Sequence, residues 1–149
     1  MITCYVAGPF SADSAWQIEL NIRRAEVVAL EVWRRGFLAL CPHTMCRFYD
    51  GAASYQVWID GTKEMLRRCD VMLLVEGYET SPGSRGEIKE AERLGIPYFD
   101  NIDALVAWGK QVKQPLPVEE AANMHRAEIC SAEAANVSAD AEYDGSDYG

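Results

Sequence analysis

The sequence has no long apolar run, no closely paired cysteines and no excess of positive charge. No stretch reaches the roughly 18 apolar residues that a membrane span needs, and no basic segment followed by an apolar stretch opens the chain. The five cysteines form no Cys-x-x-Cys pair, and Cys4, Cys41 and Cys69 lie in or beside predicted strands. We therefore expect buried thiols rather than disulfides, and a cytoplasmic protein.

Positive charge is scarce and unevenly placed. The 14 basic residues face 23 acidic ones, which gives a net charge of −9 at pH 7. Residues 114–149 hold eight of the acidic residues and one basic residue, so residues 1–113 are close to neutral. We predict a domain over 1–113 and an acidic tail over 114–149, with one helix at 118–135 and disorder beyond. A nucleic-acid polymer is not an expected partner, because binding one needs a basic face, whereas a small anion can still bind.

Three familiar phosphate-binding signatures are absent. The chain has no Walker loop, no Gly-x-Gly-x-x-Gly and no cluster of basic residues after the first predicted strand. That strand ends instead in the segment Ala7-Gly8-Pro9-Phe10-Ser11. Such a segment can present amides and a hydroxyl to a ligand at a helix start, and it can equally be a plain strand-to-helix turn.

Apolar strands and amphipathic helices alternate along the first 113 residues. The pattern predicts strands at 2–7, 37–41, 71–75 and 97–99, and helices at about 15–35, 54–68, 85–94 and 102–112. This alternation is typical of a doubly wound parallel α/β sheet of three layers, flavodoxin-like or Rossmann-like, with strand order 2-1-3-4 and room for a fifth strand. The order reverses between strands 1 and 3. We therefore expect the loops at 8–16 and 76–86 to flank one ligand crevice.

The segment 70–95 combines a buried strand, a turn and a helix that carries Glu87. The turn is Ser81-Pro82-Gly83-Ser84, and we place Glu87 in the first turn of the following helix. There the helix dipole would favour an ionised carboxylate. Ser84 and Glu87 also match the Ser-x-x-Glu capping box, in which both side chains only satisfy free amides at the helix start. Spacing alone therefore leaves a catalytic and a capping role open for Glu87.

A metal site is a weaker alternative elsewhere in the chain. Cys41, His43 and Cys46 lie close together in sequence, but they provide three ligands without a clear fourth. His43 can equally line a pocket wall, and Asp60 can be an ordinary solvated aspartate on the flank of its helix. We predict no metal and no cofactor.

An ordered set of short motifs resembles the nucleoside 2-deoxyribosyltransferase-like superfamily, which includes deoxyribosyltransferases and 5'-nucleotide N-glycosidases. The resemblance covers residues 2 to about 100. It rests on Tyr5-Val6-Ala7-Gly8-Pro9-Phe10, Asn21, Arg24-Ala25, Cys41-Pro42-His43, Trp58, Asp60, Cys69-Asp70, Ser81, Gly83, Glu87, Ala91 and Leu94-Gly95-Ile96-Pro97. No single motif is specific, whereas their order along the chain is fairly specific.

The resemblance implies roles for several of these positions. Glu87 is the expected nucleophile at C1' of a sugar, and Asp60 is expected to protonate the leaving base or hold the sugar. Tyr5 and Gly8 would border the sugar. Ser81, with Gly83 and Ser84, would hold a 5'-phosphate through hydroxyl and amide donors. Phe10, His43 or Trp58 would stack on the base.

Hydrolysis of the base–sugar bond of a nucleoside 5'-monophosphate is thus the first expectation, and two alternatives stay open. A deoxyribosyltransferase would use the same site with a free base as acceptor, and a non-catalytic nucleotide-binding module would use Glu87 only as a cap. The turn after strand 1 departs from the Gly/Ser/Arg turn common in the hydrolases, and Asn101 and Asn123 match no transferase motif. The resemblance also implies a homodimer or larger homo-oligomer, for which the aromatic loop at 47–58 is a candidate interface.

Overall fold

The computed structural model describes residues 1–49 and 51–112. Within them, one parallel sheet has the order β2-β1-β3-β4, formed by β1 (Thr3–Ala7), β2 (Leu38–Leu40), β3 (Val71–Leu74) and β4 (Tyr98–Phe99). The predicted fold class and strand order are confirmed. The predictions for the acidic tail lie outside the described residues.

Helices cover both faces of the sheet. They are α1 (Ala15–Arg34), α2 (Pro42–Met45), α3 (Tyr55–Leu66), α4 (Pro82–Leu94) and α5 (Ile102–Val112), with a 3-10 turn at Tyr78–Thr80. One core cluster contains apolar residues of α1 and α5, and a second contains residues of α3 and α4. None of the helices described is long and apolar enough to cross a membrane.

β1 is the central strand, and its side chains alternate between the two core clusters. Cys4 and Val6 belong to the cluster on the α1 and α5 side, whereas Tyr5 and Ala7 belong to the cluster on the α3 and α4 side. This alternation follows from the pleat of a strand, in which successive side chains point to opposite faces. Tyr5 is consequently directed at the helix that carries Glu87.

The start of α4 differs from the prediction. The helix begins at Pro82 rather than at residue 85, and the Ser81 hydroxyl caps it by accepting a hydrogen bond from the Ser84 amide. Proline suits the first helical position because its φ angle is already helical and no amide hydrogen is needed there. The capping-box alternative for Ser84 and Glu87 therefore does not hold, because Ser81 caps the helix. Glu87 lies in the second turn, where the free amides of the helix start are no longer available.

The chain after β2 also differs from the prediction. The sequence predicts no helix between the second strand and residue 54, but α2 forms there, with Pro42 at its first position and the Thr44 hydroxyl donating to the Cys41 carbonyl. This short helix turns the His43 side chain inward, and His43 is buried.

Candidate active site

The turn after β1 and the loop after β3 meet at the carboxyl end of the sheet. A Cβ atom added to Gly8 would lie 2.7 Å from the Cβ of Val75, so the two segments approach as closely as a glycine permits. Gly77 has a φ of 89° and sits against the Pro9 ring, where an added Cβ would lie 3.3 Å from Cγ. The two loops therefore lie against each other, as expected, whereas the ligand crevice between them stays a prediction. The ends of β1 and β3 are neighbours at the point where the strand order reverses.

A buried hydrogen bond joins Tyr5 of β1 to Glu87 of α4. The Tyr5 hydroxyl donates to Glu87 Oε1 over 2.5 Å, and the two residues are 0% and 7% exposed. A short bond to a carboxylate is typical of a charge-assisted hydrogen bond. The bond orients the carboxylate. A capping glutamate would instead accept a hydrogen bond from a backbone amide at the helix start.

Burial raises the pKa of Glu87 above its ordinary value of 4.5, because a charged carboxylate loses its water there. Hydrogen bonds from the Tyr5 and Thr62 hydroxyls and the charge of Lys63 oppose this effect by stabilising the anion. We expected the helix start to favour the ionised form, but Glu87 lies one turn further along and burial dominates. A buried carboxylate with a raised pKa and dedicated donors is typical of catalytic sites.

The Tyr5 hydroxyl stays protonated in this environment. Burial raises its pKa well above 10, and the neighbouring Glu87 carboxylate raises it further. A protonated phenol can donate only one hydrogen bond, and Tyr5 gives it to Glu87. Tyr5 therefore orients and supports the carboxylate.

The first turn of α4 gathers polar groups beside Glu87. Ser81 Oγ accepts the Ser84 amide and still carries a hydrogen that it can donate. Ser84 is 1% exposed, and its hydroxyl has no hydrogen-bond partner among the described residues. Gly83 faces α3, where the Tyr55 hydroxyl would lie 3.8 Å from an added Cβ. Ser84 and Glu87 are three residues apart and so share one face of the helix.

Asp60 lies elsewhere on α3. Its carboxylate is exposed and accepts a hydrogen bond of 2.8 Å from Gln56 on the same helix. The residue of α3 near Tyr5 and Glu87 is Thr62, whose hydroxyl lowers the pKa of both and lies 3.3 Å from the Ile59 carbonyl on its own helix. Residues two apart on a helix point in different directions. Asp60 and Glu87 are thus not paired in the described structure.

His43 bonds to the turn after β1. Its Nε2 lies 3.2 Å from the Gly8 carbonyl and 3.0 Å from the Pro9 carbonyl, and its ring lies 5.7 Å from the ring of Phe10. Burial lowers the pKa of His43, and the two carbonyls partly offset that effect. In the described part of the chain no three side chains come together as metal ligands. Cys41 and Cys46 are free thiols.

The remaining predicted site residues lie around this crevice with different exposures. Phe10 is half-buried and Ser11 is exposed. Trp58 is half-buried and stacks on Tyr49, with ring centroids 6.1 Å apart. The Trp58 ring therefore already has an aromatic neighbour.

Sequence reasoning gave no role to two residues that take part in this network. Thr62 lies four residues after Trp58 and four before Leu66, so helical spacing from those two inward positions could have found it. Asn21 is 6% exposed, and its Nδ2 donates to the Phe10 carbonyl over 3.2 Å. A buried asparagine in the apolar stripe of α1 was the available signal for it.

Two shallow cavities lie away from Tyr5 and Glu87. They follow α1, with volumes of ≈ 280 Å³ and ≈ 370 Å³, and share Val27 and Val28 in their linings. Their walls are mostly apolar. Tyr5 and Glu87 combine pKa values raised by burial with a mutual hydrogen bond, so we place the candidate site at this pair.

Comparison with known proteins gives one match. A family model described as a domain of unknown function (DUF7768) matches residues 2–100. Neither the curated proteins nor the solved structures contain a match.

Proposed function

Since the chain belongs to the DUF7768 family, a domain of unknown function, we propose its activity from the site: it is an N-glycosidase that hydrolyses the base–sugar bond of a nucleoside or deoxynucleoside 5'-monophosphate. The observation that carries this proposal is the buried bond between Tyr5 and Glu87 at the crevice between β1 and β3. The order of motifs along the chain, with its resemblance to nucleoside 2-deoxyribosyltransferase-like enzymes, supports the same reaction.

Glu87 acts as the nucleophile in this proposal. A carboxylate oxygen bonds to C1' while the C1'–N bond breaks, and the base leaves with the bonding electron pair and takes up a proton. Water then attacks C1', its second proton is released, and the ester to Glu87 is cleaved. The products are a sugar 5-phosphate and a free base. Burial raises the basicity of Glu87, which suits a nucleophile once the carboxylate is ionised.

The first turn of α4 is the proposed 5'-phosphate site. The Ser81 hydroxyl and the backbone at Gly83 lie at a helix start, where amide hydrogens and the helix dipole favour an anion. The buried Ser84 hydroxyl adds a polar group without another partner in the described chain. These groups precede Glu87 by three to six residues, so a phosphate there would hold the sugar beside the carboxylate.

Asp60 keeps its proposed role as the group that protonates the leaving base or holds the sugar. Because it is exposed and bonded to Gln56, this role requires its side chain to turn toward the bound nucleotide. Asp60→Asn tests the role, and it should slow substrates with poorly leaving bases more than those with good leaving bases. An equal effect on both classes of substrate would show that Asp60 takes no part in the chemical step.

The assembly and setting of the enzyme belong to the same proposal. We place it in the cytoplasm as a homo-oligomer without metal or cofactor. Free thiols at Cys4, Cys41, Cys46 and Cys69 support a reducing compartment. Exposed aromatic side chains at Phe48 (87%), Tyr49 (53%) and Tyr55 (60%) support a contact surface near the crevice.

The test is release of free base from a panel of substrates. The purified protein is incubated with each common ribonucleoside and deoxyribonucleoside, with and without a 5'-phosphate, and base is followed by chromatography. Glu87→Ala should abolish release. Glu92→Gln, a change to an exposed carboxylate on the same helix, is the matched control and should leave the rate unchanged.

The panel also separates the alternatives. Base that appears only when a second free base is supplied would indicate a deoxyribosyltransferase. Nucleotide binding without any release, unaffected by Glu87→Ala, would indicate a binding module. The capping role that supported a binding module no longer applies to Glu87, because Ser81 caps α4.

A further inference from the structure

Two buried side chains from different helices hold the turn after β1. His43 of α2 is 5% exposed and bonds the Gly8 and Pro9 carbonyls over 3.2 and 3.0 Å. Asn21 of α1 is 6% exposed and bonds the Phe10 carbonyl over 3.2 Å. Three consecutive backbone carbonyls are thus each bound by a side chain, an unusual density for a short turn.

The hydrogen-bond partners fix the chemical form of both side chains. A backbone carbonyl only accepts, so Nε2 of His43 must carry the hydrogen, and the burial that lowers the pKa of His43 favours the neutral ring, with a lone pair on Nδ1. This Nδ1 is buried and has no partner in the described residues. The Asn21 amide is oriented in the same way, because its Oδ1 faces the donors Gln17 Nε2 at 3.4 Å and Arg24 at 3.5 Å.

The opposite side of the turn is closed by β3 and the loop that follows it. Gly8 lies against Val75, and Pro9 lies against Gly77. The turn is therefore held by hydrogen bonds on one side and by van der Waals contact on the other. It begins three residues after Tyr5, the strand residue that bonds the Glu87 carboxylate.

We propose that His43 and Asn21 are positioning residues, which fix the turn Gly8–Phe10 and thereby set the width of the sugar site beside Glu87. The catalytic consequence rests on the proposed function, whereas the hydrogen bonding of the turn does not. In this arrangement His43 acts through the backbone and does not exchange protons with the substrate.

Replacing His43 by three residues of different reach tests the catalytic consequence. Glutamine can place an amide nitrogen near the position of Nε2, whereas asparagine is too short and leucine has no donor. We expect His43→Asn and His43→Leu to lower kcat/KM roughly 10- to 100-fold, and His43→Gln to stay within about threefold of the unchanged protein. A His43→Gln variant that is folded yet as slow as His43→Leu would overturn the proposal.

Asn21→Asp provides an independent variant. It keeps the shape of the side chain and the acceptor for Gln17 and Arg24, but it sets a carboxylate oxygen against the Phe10 carbonyl. We expect the same loss of kcat/KM, with circular dichroism showing an intact fold. Unchanged kinetics in this variant would contradict a positioning role for Asn21.

Nitrogen NMR of the histidine rings tests the hydrogen bonding without any substrate. We expect His43 to be the neutral Nε2–H form at pH 7, with its signal assigned by its loss in His43→Gln and its persistence in His125→Gln. An Nδ1–H form or an imidazolium at that pH would overturn the proposal. If no nucleotide releases base, the proposed enzyme activity fails, and the ring signal still decides whether the turn is held as described.

Discussion

Tyr5 and Glu87 are 82 residues apart in the chain, and a hydrogen bond of 2.5 Å joins them in the interior. The tyrosine comes from the central strand and the glutamate from the second turn of α4. Their contact links an interior strand of the sheet to the helix that carries the proposed nucleophile.

We expect Glu87→Gln to stabilise the protein while it abolishes base release. Glutamine is uncharged, so it avoids the loss of hydration that a buried carboxylate suffers, and its amide oxygen can still accept from Tyr5. The expected gain in unfolding free energy at pH 7 is about 1 kcal/mol, measured by urea denaturation. Glu92→Gln on the exposed side of α4 should change stability by less than about 0.5 kcal/mol.

This gain should depend on pH in a defined direction. Because the pKa of Glu87 is raised in the folded state, the folded chain binds its proton more tightly than the unfolded chain, whose value is 4.5. The contribution of Glu87 to stability is thus fully present below pH 4.5 and is lost as the pH rises through its folded pKa. The difference between Glu87→Gln and the unchanged protein should shrink toward pH 4.5. A difference that grows on acidification would contradict the raised pKa.

Tyr5→Phe should move the acid limb of the activity profile to higher pH. The Tyr5 hydroxyl lowers the pKa of Glu87, so its loss raises that pKa and less of the carboxylate is ionised at a given pH. Loss of a bond to a charged acceptor should also cost about 2 kcal/mol of stability. The measurement is kcat/KM from pH 4 to 9. Thr62→Val should shift the limb in the same direction, and an unmoved limb in both variants would contradict this role of the two hydroxyls.

Ser81 variants can separate helix capping from phosphate binding. Ser81→Ala should cost about 1 kcal/mol of stability because the Ser84 amide loses its acceptor, whereas Ser81→Gly should cost only a few tenths. Both variants lack the hydroxyl, so both should raise KM for nucleoside monophosphates equally. KM for the matching nucleosides without phosphate should stay the same. If KM for the monophosphates rose more in Ser81→Ala than in Ser81→Gly, in parallel with the loss of stability, the proposed contact between the Ser81 hydroxyl and the phosphate would be contradicted.

Gly8→Ala should destabilise the fold by about 1–3 kcal/mol, because the added methyl group meets the Val75 Cβ at 2.7 Å. The same change in a Val75→Gly background should cost much less, so a double-mutant cycle measures the contact directly. Gly61→Ala is the matched control. Gly61 lies within α3 with open space around it, and alanine there should raise the free energy of unfolding by about 0.5–1 kcal/mol.

The sheet could be predicted because each strand is a short apolar run ended by a turn signal. Gly8-Pro9 ends the first strand, and Pro42 ends the second. The turn residues Ser81 to Ser84 separate the third strand from the helix that follows it. Right-handed crossovers then leave few possible strand orders. The order β2-β1-β3-β4 and the meeting of the two loops at its reversal follow from those rules.

The details of the site could not be predicted in the same way. Ser84 and Glu87 have the spacing of a capping box, but Ser81 competes for the same amide and Pro82 suits the first helical position, so the helix starts earlier. The side chain that faces Glu87 from α3 depends on the rotation of that helix, which is set by the packing of its own Leu66 in the core cluster that contains Tyr5. Local spacing carries no information about a partner 82 residues away.

The central position of β1 has a consequence for how the molecule opens. Its backbone pairs with β2 on one side and with β3 on the other, and Tyr5 is paired in both ladders, with Leu40 of β2 and with Met72 of β3. Amide hydrogens of such a strand exchange with solvent only in the rarest, most extensive openings of a domain. Tyr5, which supports Glu87, therefore belongs to the part of the domain whose amide hydrogens exchange most slowly. Thermal fluctuations that loosen surface loops leave the Glu87 carboxylate aligned until the whole domain unfolds.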